Sequence, residues 1–168
     1  MKGWSTIVAS LAIFAGMPIE ALAQKAVILV RHAELEGAAM AEPKHMALST
    51  VGEERAKRLA ELLKDAGIDA IYVTDFARTN KTAEPLYRKL NMQPVVLPKG
   101  DPRELAERVR KQHANEIVLM VGHTDTLPGL IKALGHSEDI KIDSQDYSNL
   151  FVLVPKSEGA PTFLRIRY

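Results

Sequence analysis

Five or six short apolar runs, rich in β-branched residues, alternate along the chain with segments in which apolar residues recur at helical spacing. The runs VILV and IVLMV contain no polar residue, which is typical of central strands covered on both faces. Strands that alternate with helices indicate a parallel sheet between helical layers. We therefore predict a three-layer α/β/α domain with a mostly parallel central sheet. The predicted strands are residues 25–30, 70–74, 94–97, 116–121, 148–154 and 162–167.

Four helices are predicted between and after these strands. The first has the capping box Thr50-x-x-Glu53 at its start, a pattern in which each side chain satisfies a free backbone N–H group. Pro85 lies inside the second helical segment, so we expect that helix to kink or to begin near this proline. The predicted helices are residues 50–66 (ending at Gly67), 77–90, 101–114 and a short one from 128 to about 135.

The first residues form a segment of a different kind. An apolar run at residues 7–14 is followed by the small-residue pattern Ala-Leu-Ala at 21–23, which predicts a secretory signal peptide cleaved after Ala23. The run is short for a bilayer span, and an uncleaved anchor or a core helix is the alternative. We expect residues 1–23 to be removed, leaving a domain at 24–168. This predicts a periplasmic or secreted protein with no stable membrane anchor after processing.

Composition excludes several classes of function. The chain of 168 residues has no cysteine, which excludes a disulfide scaffold, a thiol nucleophile and a zinc-thiolate site. Lys and Arg number 22 against 21 Asp and Glu, for a net charge of +1. A balance of this kind lacks the broad positive field that nonspecific nucleic-acid binding requires, so we expect no nucleic-acid partner and look for locally placed charge.

Such a local cluster is predicted where the strands end. In an open α/β sheet, ligands bind beyond the carboxyl ends of the strands. The first predicted strand is followed by Arg31 and His32, the second by a segment that contains Arg78, and the fourth by His123 and Thr124. Arginine matches phosphate oxygens bidentately, and a neutral histidine is a competent nucleophile. Two arginines and two histidines at one edge therefore indicate phosphoryl chemistry.

The segments that carry these residues resemble the histidine phosphatase superfamily, in its phosphoglycerate mutase-like branch 1. Four blocks agree with the family's motifs in order, over nearly all of the chain after the signal segment. They are VILVRHAE at 27–34 for the RHG/RHA signature, LSTVG at 48–52 for the start of a helix, DFARTNKTA at 75–83 for the block with the second arginine, and VGHT at 121–124.

The resemblance implies a role for each matching residue. His32 would be the nucleophile that becomes phosphorylated, and Arg31 and Arg78 would bind the phosphoryl oxygens. His123 would stabilise negative charge in the transition state, with Thr124 beside it at the phosphate. Water would then hydrolyse the phosphohistidine, whereas a mutase would return the phosphoryl group to its substrate. The resemblance implies no metal and no organic cofactor.

The sequence departs from the family's pattern at the general acid. Family members supply a carboxylate that protonates the leaving oxygen, often after the third strand, where Asp101 and Glu104 are the candidates. We take Asp101 as the candidate acid, although an N-cap role is at least as well supported, because a helix start lowers the pKa of a carboxyl group. Glu34 is expected to order the loop after His32, and Asp125 follows the second histidine closely. Ala33 stands where glycine is commoner.

Two classes of function follow. The first is an exported phosphatase that hydrolyses phosphomonoesters through a phosphohistidine, with a phosphorylated small molecule, glycolipid or phosphoprotein as substrate. A phosphotransferring mutase is less favoured, since the chain lacks long substrate-enclosing insertions. The second is a noncatalytic domain that binds a phosphate ligand, which the unassigned acid motivates.

The last predicted strand has one basic face. Arg165 and Arg167 alternate with Ile166, and successive side chains of a strand point to opposite faces. Charged residues on an edge strand prevent pairing with other molecules. We therefore interpret the two arginines as edge protection.

Overall fold

The computed structural model describes residues 25–37, 42 and 44–168. The signal peptide predicted for residues 1–23 lies outside these residues and stays a prediction. Within the described ranges, no helix is long and apolar enough to cross a membrane.

All six predicted strands are present in one sheet, whose order is β3-β2-β4-β1-β5-β6. The four strands from β3 to β1 are parallel, and β5 and β6 continue the sheet in antiparallel fashion. The prediction of a mostly parallel sheet is confirmed. The strands are β1 Ala26–Arg31, β2 Ala70–Thr74, β3 Val95–Leu97, β4 Ile117–Gly122, β5 Asn149–Val154 and β6 Thr162–Arg167.

Four helices connect these strands: α1 Thr50–Leu63, α2 Ala77–Lys89, α3 Pro102–Gln112 and α4 Leu127–Ala133. α1 begins at residue 50 as predicted, but its N-cap is Ser49 rather than Thr50, and the Ser49 hydroxyl accepts from the Gly52 N–H group at 3.1 Å. The helix also ends at Leu63, before the predicted Gly67, which adopts a positive φ of 66° in the following turn.

Of the two expectations for α2, a start near Pro85 is wrong, and a kink at this proline stays a prediction. The helix starts at Ala77 and continues through the proline. Thr79, Thr82 and Leu86 are buried along one side of α2, so packing on both sides of the proline holds the helix together although Pro85 has no N–H group to donate.

The helices cover both faces of the sheet and complete the predicted three layers. α3 and α4 pack on one face, where Leu29, Val109 and Phe151 belong to the core. α1 and α2 pack on the other face, around Val30 and Leu59. Neighbouring residues of β1 thus point into opposite cores, which explains why this strand has no polar alternation.

A close backbone contact places α1 against the loop that follows β1. A Cβ atom at Gly52 would lie 2.2 Å from the carbonyl oxygen of Glu34, so only glycine fits at this position. The same carbonyl accepts from the Ser49 N–H group at 3.0 Å. The start of α1 is therefore fixed directly behind the segment that carries His32.

Candidate active site

Side chains that follow separate strands meet at the carboxyl edge of the sheet. Residues Arg31 and Gly122 are paired at the ends of β1 and β4, and each strand is followed by a histidine. The ring centroids of His32 and His123 consequently lie 5.4 Å apart. Both histidines are buried, so the sequence's two histidine motifs form one site.

The backbone around His32 fixes its ring. The His32 N–H group donates to the Gly122 carbonyl at 3.0 Å, and the ring atom Nδ1 lies 2.8 Å from the Ala33 carbonyl oxygen. Because a carbonyl oxygen only accepts, Nδ1 carries the proton and the neutral ring has an unprotonated Nε2. An unprotonated ring nitrogen is the form that attacks phosphorus.

Thr82 connects the His32 loop with α2. Its hydroxyl oxygen accepts from the Ala33 N–H group at 2.9 Å and donates to the Arg78 carbonyl at 2.7 Å. Thr82 is fully buried, so a single hydroxyl fixes the residue next to the histidine and the backbone of Arg78. The sequence shows Thr82 only as a member of a motif block.

The surroundings of His32 favour its neutral form. Burial lowers its pKa to about 4, and the charges of Arg78 and Arg31 act in the same direction. The hydrogen bond to Ala33 opposes this shift but does not outweigh it. At neutral pH, His32 therefore needs no base to remove a proton before it can act as a nucleophile.

A chain of hydroxyl groups determines the tautomer of His123. Thr79 donates its hydroxyl proton to the carbonyls of Thr74 and Phe76, at 3.0 and 2.9 Å. Its oxygen lies 2.9 Å from the Thr74 hydroxyl, which must therefore be the donor of that pair. The Thr74 oxygen is then left to accept from Nε2 of His123, 3.0 Å away, so Nε2 carries the proton.

The other ring nitrogen of His123 faces Arg78. The Arg78 Nε atom donates to Nδ1 of His123 at 3.4 Å, which agrees with an unprotonated Nδ1. Burial, together with the charges of Arg78 and Lys99, lowers the pKa of His123 to about 4. Both histidines of the site are thus neutral at pH 7.

Arg31 is held by the loop that precedes β5. Its Nη1 atom donates to the Ser144 carbonyl at 2.7 Å, and its guanidinium lies 3.8 Å from the ring centre of Tyr147. Its Nε atom is buried and makes no hydrogen bond to the described residues. A buried donor of this kind is costly unless a ligand satisfies it, and a phosphoryl oxygen fits that requirement.

Arg78, near the start of α2, contacts both His123 and Phe76. Its guanidinium stacks 4.2 Å from the ring centre of Phe76. Burial lowers the pKa of Arg78, and the charge of Arg31 adds to this effect, yet an arginine stays protonated in proteins. Two cations and two neutral histidines therefore share the site, which suits a dianionic ligand.

Tyr147 is a site residue that the sequence did not reveal. Its ring lies 6.0 Å from the His32 ring, edge to face, while the Arg31 guanidinium stacks on it. Thr124, predicted to bind phosphate, lies half-buried in the turn after β4, and its role stays a prediction.

The carboxylates considered as general acid are engaged elsewhere. Asp101 caps α3, accepting from the Arg103 N–H group at 2.7 Å, as its N-cap interpretation predicts. Among the described residues, no contact joins Asp101 to either site histidine, so its role as an acid stays a prediction. Glu104 is exposed on the same helix.

Glu34 and Asp125 are each paired with a cation. Arg55 donates to Glu34 at 2.7 to 2.9 Å. Burial acts to raise the pKa of Glu34, but the hydrogen bonds from Arg55 outweigh it and lower the pKa, as expected for a residue that orders the loop. Asp125 is paired with Lys99 at 2.5 Å, which lowers its pKa. The charge of Asp125 acts to raise the pKa of His123, so Asp125 is close enough to this ring to influence it.

Part of the chain matches the model of a known protein family. Residues 27–99 match the model of the histidine phosphatase superfamily, branch 1. The resemblance predicted from the sequence is confirmed. No curated protein matches the chain significantly.

Solved structures share the fold of this chain. The protein histidine phosphatase SixA in complex with tungstate has a TM-score of 0.66 at 20% identity, over 84% of this chain and 96% of that one. A phosphoserine phosphatase from Entamoeba histolytica with bound phosphoserine has a TM-score of 0.64 at 15% identity, over 82% and 94%. A mycobacterial glucosyl-3-phosphoglycerate phosphatase in complex with VO3 has a TM-score of 0.63 at 15% identity, over 86% and 98%.

Within the residues that the structure describes, no group of three or more His, Asp or Glu side chains is arranged to hold a metal ion.

Proposed function

We propose that the protein is a phosphatase that hydrolyses phosphomonoesters through a phosphohistidine on His32. The observation that carries this proposal is the Nδ1 contact of His32 with the Ala33 carbonyl, 2.8 Å away, which leaves Nε2 unprotonated. A nucleophile of this kind next to two arginines is what phosphoryl transfer requires.

In the first step, Arg31 and Arg78 bind the phosphoryl oxygens and turn phosphorus toward His32. Nε2 attacks, the N–P bond forms, and the bond from phosphorus to the leaving oxygen breaks with its electron pair on that oxygen. His123, which lies beside His32 and Arg78, stabilises the equatorial oxygens of the phosphoryl group. In the second step, water attacks phosphorus, the N–P bond breaks, and neutral His32 and inorganic phosphate result.

The identity of the leaving group follows from the carboxylates. Asp101 is engaged in capping α3. The ion pair with Lys99 lowers the pKa of Asp125, which makes this carboxyl group a poor proton donor at neutral pH. We therefore expect substrates whose leaving group departs without strong protonation. Among the substrate classes considered, a phosphoprotein with a good leaving group fits better than an alkyl phosphate of a small molecule or glycolipid.

The engagement of these carboxylates in other contacts also supports a second function. A domain that binds phosphate ligands without turnover would retain Arg31, Arg78 and the histidine pair but lack a proton donor. The two functions differ in one measurable property, since the noncatalytic domain binds oxyanions and releases no phosphate.

Export is part of the proposal. Its support is the apolar run at 7–14 and the Ala-Leu-Ala pattern at 21–23, which together favour cleavage after Ala23 and a periplasmic or extracellular site of action. N-terminal sequencing of the protein from its native host tests this point. A chain that starts at Gln24 supports it, and a chain that starts at Met1 contradicts it.

Turnover measurements on a graded set of phosphoesters test the proposed activity. We expect hydrolysis of aryl phosphates, with rates that fall steeply as the pKa of the leaving group rises, and a loss of about 10³-fold or more in His32→Ala. His45→Ala is the matched control, because His45 is exposed and outside the site. Binding of vanadate without any turnover would favour the noncatalytic domain, and full activity of His32→Ala would refute the proposed nucleophile.

A further inference from the structure

The loop that holds Arg31 is itself held by the edge strand of the sheet. Asp146 lies in this loop, and its carboxylate accepts hydrogen bonds from the N–H and hydroxyl groups of Ser148 at 3.1 and 2.9 Å. The same carboxylate pairs with Arg167 of β6 and lies 3.9 Å from the Arg165 guanidinium. Asp146 thus joins the β6 arginines to the loop before β5.

The backbone of this loop binds the side chain of Arg31. Backbone carbonyls of Asp143, Ser144 and Asp146 all accept from its Nη1 atom, at 3.4, 2.7 and 3.5 Å. Tyr147, directly after Asp146, stacks on the guanidinium plane. The plane of Arg31 is therefore set by a loop that has neither helical nor strand hydrogen bonding of its own at residues 143–148.

The topology explains why β6 is the element that holds the loop. β5 is antiparallel to β1 and begins at Asn149, which pairs with Arg167 at the end of β6. The loop before β5 and the last residues of β6 consequently lie at the same edge of the sheet as His32. At this edge, Arg167 pairs with the carboxylate of Asp146. The backbone carbonyl of Asp146 accepts a hydrogen bond from Arg31.

We propose that Asp146 is a positioning residue for phosphate binding. Its carboxylate is held by Arg167 and Arg165, and it fixes the loop at residues 143–147. This loop in turn orients the guanidinium of Arg31. This inference rests on the proposed function, since it assigns Arg31 to the phosphoryl group. It also changes the interpretation of the β6 arginines. They protect an edge strand, but their shared contact with Asp146 gives them a connection to the site.

The test compares binding of orthovanadate, followed by calorimetry, in single and double variants. We expect Asp146→Asn to weaken vanadate binding about tenfold, because the amide keeps the size of the side chain but loses its charge toward Arg167. Arg167→Gln should weaken binding similarly, and Arg167→Lys should restore most of the affinity. In an active enzyme, the KM for an aryl phosphate should rise by a similar factor, while kcat changes less.

A double-mutant cycle separates positioning from general damage to the fold. In an Arg31→Ala background, Asp146→Asn should cause no further loss of vanadate affinity, because its effect passes through Arg31. Asp139→Asn is the matched control, because Asp139 forms an exposed ion pair with Lys132 at 3.2 Å. This variant should bind vanadate with the affinity of the wild type. Circular dichroism verifies that each variant is folded.

Each result bears on the proposal. Unchanged vanadate affinity in Asp146→Asn, or equal losses with and without Arg31, would overturn the positioning role and leave the proposed function intact. Wild-type protein that binds no vanadate would overturn the proposed function and this inference together.

Discussion

The hydroxyl oxygen of Thr74 lies 3.0 Å from Nε2 of His123 and accepts a hydrogen bond from it. The direction of this hydrogen bond follows from Thr79, whose own proton is donated to backbone carbonyls. His123 therefore directs an unprotonated Nδ1 toward Arg78. A residue at the end of β2 thus determines the tautomer of a histidine that follows β4.

Replacing Thr74 by valine tests this relationship. The variant removes the acceptor for the Nε2 proton while keeping the shape of the side chain, so we expect kcat/KM for an aryl phosphate to fall by about tenfold. Thr74→Ser keeps the hydroxyl and should retain activity close to the wild type. Equal losses in the valine and serine variants would show that the hydroxyl is not what matters.

Binding of a dianion should raise the pKa of His123 and so favour its protonation. Its pKa is lowered to about 4 by burial and by the neighbouring cations, and a bound dianion offsets both cations. We expect tungstate binding at about pH 6.5 to take up a fraction of a proton, as measured by calorimetry in buffers of different ionisation enthalpy. The uptake should disappear in His123→Gln, and its persistence there would assign the proton to another group.

The two site histidines also predict how stability depends on pH. Their pKa values fall from 6.5 to about 4 on folding, so between these values the unfolded chain binds more protons than the folded one. The free energy of unfolding should therefore decrease as pH falls through this range. Urea denaturation at about pH 7.5 and about pH 5 should show a smaller decrease for His32→Gln than for the wild type. Identical decreases would contradict the shifted pKa of His32.

Gly52 offers a test of the contact between α1 and the His32 loop. Alanine inside a helix normally stabilises it relative to glycine, yet a Cβ atom here would lie 2.2 Å from the Glu34 carbonyl. We expect Gly52→Ala to lower the free energy of unfolding by about 3 kcal/mol or more. Gly100→Ala, whose Cβ would meet nothing nearer than 3.7 Å, should stay within about 0.5 kcal/mol of the wild type. A stabilised Gly52→Ala variant would contradict the described contact.

The layers and strands of the fold were predictable because their signal is local. A run such as VILV in β1 is apolar at every position since its residues enter two cores in alternation. The end of each strand then places Arg31, His32 and His123 at one edge. The expectation of a helix start near Pro85 is wrong because burial of the α2 residues around this proline outweighs the hydrogen bond that it cannot donate.

The support of the site was not predictable, since it depends on contacts between distant residues. Ser144 and Arg31 are 113 positions apart, and no periodicity relates the loop before β5 to the first strand. Tyr147 and Asp146 lie in an irregular segment whose composition resembles that of many exposed loops. The choice among four carboxylates likewise needed their actual partners, which are Arg55 for Glu34 and Lys99 for Asp125.

The central claim is that His32 becomes phosphorylated during turnover. Rapid quenching of the enzyme with an aryl phosphate under alkaline conditions, followed by mass spectrometry of the intact protein and its peptides, tests it most directly. We predict one phosphoryl group on His32 that is stable in alkali and lost in acid, and none in His32→Ala. A phosphoryl group on another residue, or turnover by His32→Ala at the wild-type rate, would contradict the claim.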